Sequence, residues 1–519
     1  MMNTFIFLMS VATIGAAPPS VPVMQYKLPN GLTVVLSQDR RLPVVAVEMR
    51  YRVGSAHERK GRTGFAHLFE HLMFQGSKSY NDEYFKPFTP IGARINGTTS
   101  TDRTNYYVQL PAQYLELALW MESDRMEGLL PVLTKKKLDN QRDVVKNERR
   151  QNYEDRPYGK AWKLLANNLY PVGHPYHHLT IGSHADLTAA SLADVKAFFR
   201  RYYGPANAIL TIVGDFDVRR AKALVKGYFG SIPAGKAAPR PKAKQPSFKS
   251  IKKVVAQDKV KLARVYLAWP TPALYASGDA ALDIWASVLS TGKTSRLYRR
   301  LVYDLKVAKD VSAYQVSRLN SGFFVVQATA APGKTMAELY PAVVKALKEA
   351  TSKPPTGDEF TRIVNAWKKS FFTRIESVLK KALLLSGYVH ATGGADYLGK
   401  DLARYTSLTP KRVYAAVKRW LPLDRYLRVD ILPKSKSGVT AKVEAAEVIA
   451  FFKRAEKALC ACKDLSCLRR VGMALTSEGE RFRDFKPSPE AKSAIAAHQQ
   501  AAARCVKTLM KSGPKGGSR

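Results

Sequence analysis

A chain of 519 residues is long enough for two to four domains, each with its own core. Its 46% hydrophobic and 24% charged residues are those of an ordinary soluble globular protein, and no internal run reaches the roughly 18 apolar residues that cross a bilayer. The 83 Lys and Arg against 42 Asp and Glu leave a net charge of +41. These basic residues are scattered over many short segments without an Arg-and-aromatic stripe, which argues for a solvated surface and against a specific nucleic-acid platform.

Residues 5–17 form an apolar run ending in small residues, the length of a signal-peptide core and too short for a span. The expectation is a signal peptide over 1–17 and export, to a periplasm; without that signal the chain would be cytoplasmic. Residues 25–39 read as a β-hairpin about Asn30 and Gly31, and 43–53 as a further strand. A helical stretch over 64–74 precedes a strand near 105–110. Long helices are expected over 112–128 and 134–153, and the apolar run 206–214 is short enough for a buried strand.

Residues 231–250 are rich in Pro, Ala and Lys without periodicity and read as a basic linker. Beyond it the first half recurs in coarse order. The strand at 105–110 corresponds to 322–327, and the helix and strand over 192–214 correspond to 410–432. The predicted class is therefore α+β with a duplicated domain: 18–230, then 251–438, followed by a small helical extension over 439–519. That extension holds Cys460, Cys462, Cys467 and Cys505, an even number that suits one or two disulfides in an exported protein, with the pairing open.

The chemistry is concentrated at His67, Leu68, Phe69, Glu70 and His71, an HxxEH motif in a helical stretch. Residues four apart share a helix face, so His67 and His71 can present imidazoles to one ion. Glu70 lies three residues from His67, near that face, and can reach a metal-bound water without occupying a coordination position. Two imidazoles and a carboxylate with one open position suit zinc, and a carboxylate base such as Glu70 suits hydrolysis. HxxEH is the inverted form of the common HExxH motif.

The motif and its surroundings resemble the pitrilysin/insulinase family of zinc metallopeptidases, which includes mitochondrial processing peptidase and its bacterial relatives. The resemblance runs from about residue 23 to 432. It includes the approach to the metal helix over 53–67, the segment 92–98 with Asp102, Thr104 and Tyr106, and the motifs at 156–159, 174–176 and 214–216. In that family a glutamate follows the second histidine after 76 intervening residues, and here that position is Glu148. The resemblance implies one zinc ion held by His67, His71 and Glu148, and two homologous α/β-sandwich domains arranged as a clamshell over a chamber. It also implies that Asn96, Gly97 and Phe74 serve substrate binding, the strand of Asn96 taking a peptide as an added strand.

Two departures from the family stand out. A second glutamate common seven residues before the third ligand is replaced by Gln141, which predicts an altered shell around the metal. An Arg and Tyr seven residues apart, which hold substrate across the chamber in single-chain relatives, align with Val302 and Lys309, with Tyr314 and Arg318 as nearby alternatives. This predicts a partner: a homologous non-catalytic subunit supplying the Arg/Tyr pair, or a homodimer. The leading expectation is a zinc endopeptidase acting on peptides or unfolded segments. The competing ones are a non-catalytic structural or binding subunit of an envelope complex and an anionic-polymer binder driven by charge.

Overall fold

Asn30 and Gly31 turn the chain between β1 (Met24–Lys27) and β2 (Thr33–Gln38), which pair antiparallel as predicted. The buried Asn30 amide also donates to the Phe229 and Ile232 carbonyls at 2.7 and 3.0 Å, tying the hairpin to the end of the first half. The computed structural model describes residues 21–434, 445–479, 482, 485 and 487–511, so the signal peptide expected over 1–17 lies outside the described residues. With β3 (Val44–Tyr51), β4 (Arg94–Thr99), β5 (Thr104–Pro111) and β6 (Ala208–Gly214), the hairpin builds a six-stranded sheet ordered β1-β2-β6-β3-β5-β4. Only β2 and β6 run parallel, and β4 forms one edge.

Four helices of this half matter for the site: α1 (Phe65–Leu72), α2 (Leu115–Val132), α3 (Lys135–Arg149) and α4 (Lys160–Leu169). The Thr134 hydroxyl caps α3 by accepting from the Lys137 amide, and a π-helical turn, Arg150–Glu154, continues the helix.

The second half builds β7 (Lys252–Asp258), β8 (Arg264–Thr271), β9 (Ala308–Val316), β10 (Gly322–Ala330) and β11 (Leu427–Pro433). Their order is β7-β11-β8-β10-β9, with β7 and β11 parallel. Strand for strand this is the first sheet without β1, the duplication expected from the recurring sequence pattern.

The two halves cover each other's sheets. Ala161, Leu165 and Leu169 of α4 pack with Ala268, Val325 and Val429 of the second sheet. In return Leu379, Ala382 and Leu385, from the helix Val378–Thr392, pack on Val35, Ala46 and Ile209 of the first. A sheet covered on both faces reads as continuous apolar strands, which is why all of β6 is buried. Residues 231–250 form no helix or strand. They are pinned by side-chain bonds such as Arg240 to the His390 carbonyl (3.0 Å) and Gln245 to the Thr271 carbonyl (2.8 Å).

The residues up to Pro433 fall in one compact unit and those after it in a second. In the second unit the helices Ala445–Cys460, Leu465–Gly479 and Pro489–Lys511 surround a small core of Val448, Phe451, Phe482 and Ile495. Two disulfides, Cys460–Cys505 and Cys462–Cys467, give the pairing that the sequence left open.

One buried ion pair joins the halves. Lys381 Nζ lies 2.6 Å from Asp39 Oδ2, with both side chains less than a tenth exposed. The Arg41 guanidinium, with Lys381, holds the Asp39 carboxyl well below its usual range. Lys381→Met removes one cation from a buried carboxylate while Arg41 stays, so it is expected to destabilise the unit by roughly 2–4 kcal/mol at neutral pH. A group with a depressed folded pKa stabilises above its unfolded value, about 4 for Asp, and loses that contribution as the pH falls. The gap between wild-type and variant unfolding midpoints is therefore expected to narrow below about pH 4, as scanning fluorimetry over pH would show.

Candidate active site

The two turns of α1 divide cleanly. Phe65, Ala66, Leu68, Phe69 and Leu72 are buried, and His67, Glu70 and His71 occupy the remaining, partly exposed face. Gly64 starts the helix at φ 92°, and a Cβ there would lie 2.7 Å from the Ile181 carbonyl oxygen, so the entry requires glycine. The first amides need acceptors. The buried Glu58 carboxylate accepts from the Gly64 and Ala66 amides at 2.9 and 2.8 Å, and it meets His178 Nε2 at 2.9 Å. Burial pushes the Glu58 pKa up against the pull of His178 and the amides. Burial pulls His178 down, but its hydrogen bond to Glu58, the Glu58 charge, the Ser55 carbonyl and the Asp186 charge together raise it.

Helix α3 brings the third candidate donor. Glu148 Oε2 lies 3.6 Å from His67 Nε2 and 3.4 Å from His71 Nε2, and the three ligand atoms lie within 4.8 Å of one another. A tetrahedral zinc site with bonds of about 2.0–2.1 Å separates its donors by about 3.3–3.5 Å, so donor set and spacing fit such an ion. Burial and the neighbouring His71 push His67 down to about 4, leaving a neutral imidazole with a free lone pair at neutral pH. The hydrogen bond from His71 holds Glu148 below the usual carboxylate range. Among the described residues no other group of His, Cys, Asp and Glu has this geometry.

Beside this trio, Glu70 Oε2 accepts a 2.5 Å hydrogen bond from the Thr99 hydroxyl, while burial pushes the Glu70 pKa up. The sequence reading missed Thr99; nothing in the local pattern separates it from Thr98. Thr99 ends β4, whose outer edge carries no partner strand among the described residues. Gly97 lets that strand close on α1, since a Cβ would lie 3.0 Å from Glu70 Cγ and 3.1 Å from the Phe74 ring. Asn96 is exposed on this edge, and its Oδ1 accepts from the Gly97 amide at 2.8 Å. Phe74 packs among Tyr84, Phe85 and Tyr106 and forms a half-buried floor beneath Gly97. Gln141 is buried on α3, two turns before Glu148 and near the same face.

A polar chain braces β4 from behind. The Ser386 hydroxyl of the second half donates to the buried Glu48 carboxylate, which also accepts from Asn105 Nδ2 at 2.6 Å. Asn105 Oδ1 in turn accepts from the Thr98 hydroxyl and Arg103, both at 2.6 Å. Of the four positions considered for the Arg/Tyr pair, Val302 packs half-buried on the second core, and Lys309 is exposed on β9. Tyr314 has a buried hydroxyl and a ring 6.5 Å from Trp162. Arg318 alone of the four lines the cavity of about 420 Å³ that also contains His67, Thr99 and Glu148.

Solved structures share this architecture. A protease from Helicobacter pylori superposes with a TM-score of 0.75 at 28% identity, covering 80% of this chain and 100% of that one. The periplasmic protease PqqL from Escherichia coli shares the fold at 17% identity and a TM-score of 0.66, over 88% of this chain and 51% of its own. The fold is therefore the two-domain type of M16 peptidases. Residues 33–173 match the family model described as "Insulinase (Peptidase family M16)", and 189–366 match "Peptidase M16 inactive domain". The zinc protease PqqE of Helicobacter pylori is 30% identical over 367 residues, 70% of this chain and 82% of that protein. The chain belongs to the pitrilysin/insulinase family, peptidase family M16.

Glu148→Gln keeps the shape of the third donor and removes its charge. It is expected to weaken zinc binding by about 10- to 100-fold or more, read by calorimetric titration of the metal-stripped chain.

Proposed function

We propose that the chain is a zinc-dependent endopeptidase that hydrolyses peptides or unfolded polypeptide segments, with Glu70 as general base. The observation that carries this reading is the grouping of His67, His71 and Glu148, with Glu148 Oε2 3.6 and 3.4 Å from the two Nε2 atoms, beside the partly exposed Glu70 carboxylate. The relatives' names, as zinc proteases, support the same class. A zinc ion held by those three residues supplies Lewis acidity toward the scissile carbonyl and lowers the pKa of water.

The chain's own groups do the rest. Thr99 fixes Glu70 Oε2, which leaves Oε1 to take the proton of the attacking water and return it to the leaving amine. The open edge of β4, at Asn96 and Gly97, takes the substrate backbone as an added strand through main-chain hydrogen bonds. Gln141 tunes Glu148 from two turns away on α3. The domains read as 18–230 for the metal-binding half and 251–438 for its counterpart without a metal site.

Two disulfides suit an oxidising compartment, and the similar PqqL of Escherichia coli is a periplasmic protease, so the reading includes an exported, periplasmic enzyme. No described helix is long and apolar enough to cross a membrane. With Val302 and Lys309 where the Arg/Tyr pair would stand, a homologous second subunit supplying that pair completes the enzyme. Undiminished activity from the purified single chain would sink the two-subunit part.

Glu70→Gln is expected to retain one zinc per chain and to lose at least about 10³-fold in turnover of a quenched peptide, a loss that chelation of the wild type reproduces. A variant that keeps turnover overturns the assignment. Thr99→Val removes a hydrogen bond that favours ionised Glu70, so the Glu70 pKa rises further. The acidic limb of its kcat/KM profile is expected to move to higher pH, with activity lost first at low pH.

A further inference from the structure

The geometry points to a subsite for a substrate carboxylate, built by Arg318 with Arg156 in the wall of the metal-site cavity; this rests on the peptidase reading above. The cavity holds about 420 Å³, room for one or two side chains, and Glu148 is the one carboxylate among its lining residues. That carboxylate is committed to the metal trio. Opposite in sign stand two guanidiniums. Arg318 is carried between β9 and β10 of the second half, and Arg156 follows the π-helical turn after α3. Among the described residues neither is ion-paired.

Arg318 is held as a fixed recognition group would be. Its guanidinium lies 5.7, 5.1 and 5.0 Å from the ring centres of Tyr170, Tyr176 and Phe323, which orient it without neutralising it. The nearby Asp102 is engaged elsewhere: it accepts from the Tyr176 hydroxyl at 2.6 Å and from the Leu319 amide at 3.1 Å. Arg156 sits on a loop fixed to the second half. Tyr158 takes φ 63°, its hydroxyl donates to the Leu262 carbonyl at 2.9 Å, and Arg264 lies 3.7 Å over its ring. A backbone strain of that kind is retained where surrounding contacts enforce it.

Trp162, Leu165 and Phe323 add apolar walls to the same cavity, suited to the stem of a glutamate or to the residue beside a chain end. Planar guanidinium matches planar carboxylate in two-pronged hydrogen bonding. The +41 net charge adds long-range attraction for acidic peptides, but only the cavity can choose a position along them.

The test uses the zinc-loaded full chain and quenched peptides of one sequence. One arm places Glu, Gln or Lys at successive positions around the scissile bond, and a second compares a free C-terminal acid with its amide. The carboxylate form is expected to exceed its neutral counterpart by about 10- to 100-fold in kcat/KM, mostly through KM. The arm in which this appears identifies the source of the carboxylate. Arg318→Met is expected to bring that ratio close to one, and Arg318→Glu to favour the Lys peptide, an inversion that misfolding does not produce. Anisotropy of the same peptides on zinc-loaded Glu70→Gln, with and without Arg318→Met, reads the preference without turnover. Cleavage with no acid preference, or a preference that survives Arg318→Met, overturns the subsite and leaves the peptidase reading standing. Acid-selective binding that depends on Arg318 but comes with no cleavage in any arm keeps the subsite and rejects only a peptidase complete in the single chain.

Discussion

Two imidazoles on one turn of α1 face a carboxylate that follows His71 after 76 intervening residues, and the rest of the first half serves to keep that carboxylate 3.4–3.6 Å from both. The charge states are set by the protein before any ion arrives. Burial depresses His67 to about 4, which offers a lone pair instead of a proton, and the hydrogen bond from His71 keeps Glu148 in its ionised form.

The supports around the trio have separable tasks. Gly64 allows the chain to enter α1 beneath the Ile181 carbonyl, and Glu58 satisfies the helix's first amides with a buried charge. Gly97 permits β4 to lie against Glu70, and Thr99 fixes that carboxylate's orientation. None of these residues hydrogen-bonds to the two imidazoles, yet each limits where α1 or Glu70 can go. The second half takes part as well, since Ser386 reaches Glu48 and Arg318 enters the cavity wall. The duplication is therefore asymmetric in use: one copy carries the metal motif and the other closes the space in front of it.

Much of the fold was legible because its signals are local. The turn at Asn30 and Gly31, the amphipathic split of α1 and the unbroken apolar run of β6 each follow from residues within a dozen positions. The trio was legible for a different reason: the HxxEH spacing is a helix property, and the family resemblance supplied the distance to Glu148. Resemblance nominated Phe74 for substrate, and its partly exposed ring forms the floor beneath Gly97, packed among three other aromatics. Thr99 and Glu58 were not singled out, because their importance lies in which backbone or side chain they meet across the fold.

The sequence alone determined the elements, the duplication and the helical face shared by His67 and His71, since helix periodicity and strand alternation act between near neighbours in the chain. It also placed the four cysteines in one segment without saying which would pair. Tertiary structure decided the pairing, the exchange of α4 and the helix Val378–Thr392 between the two sheets, and the meeting of Arg318 with the metal-site cavity. Those outcomes depend on contacts between residues tens to hundreds of positions apart, where burial and packing select partners that no local pattern encodes.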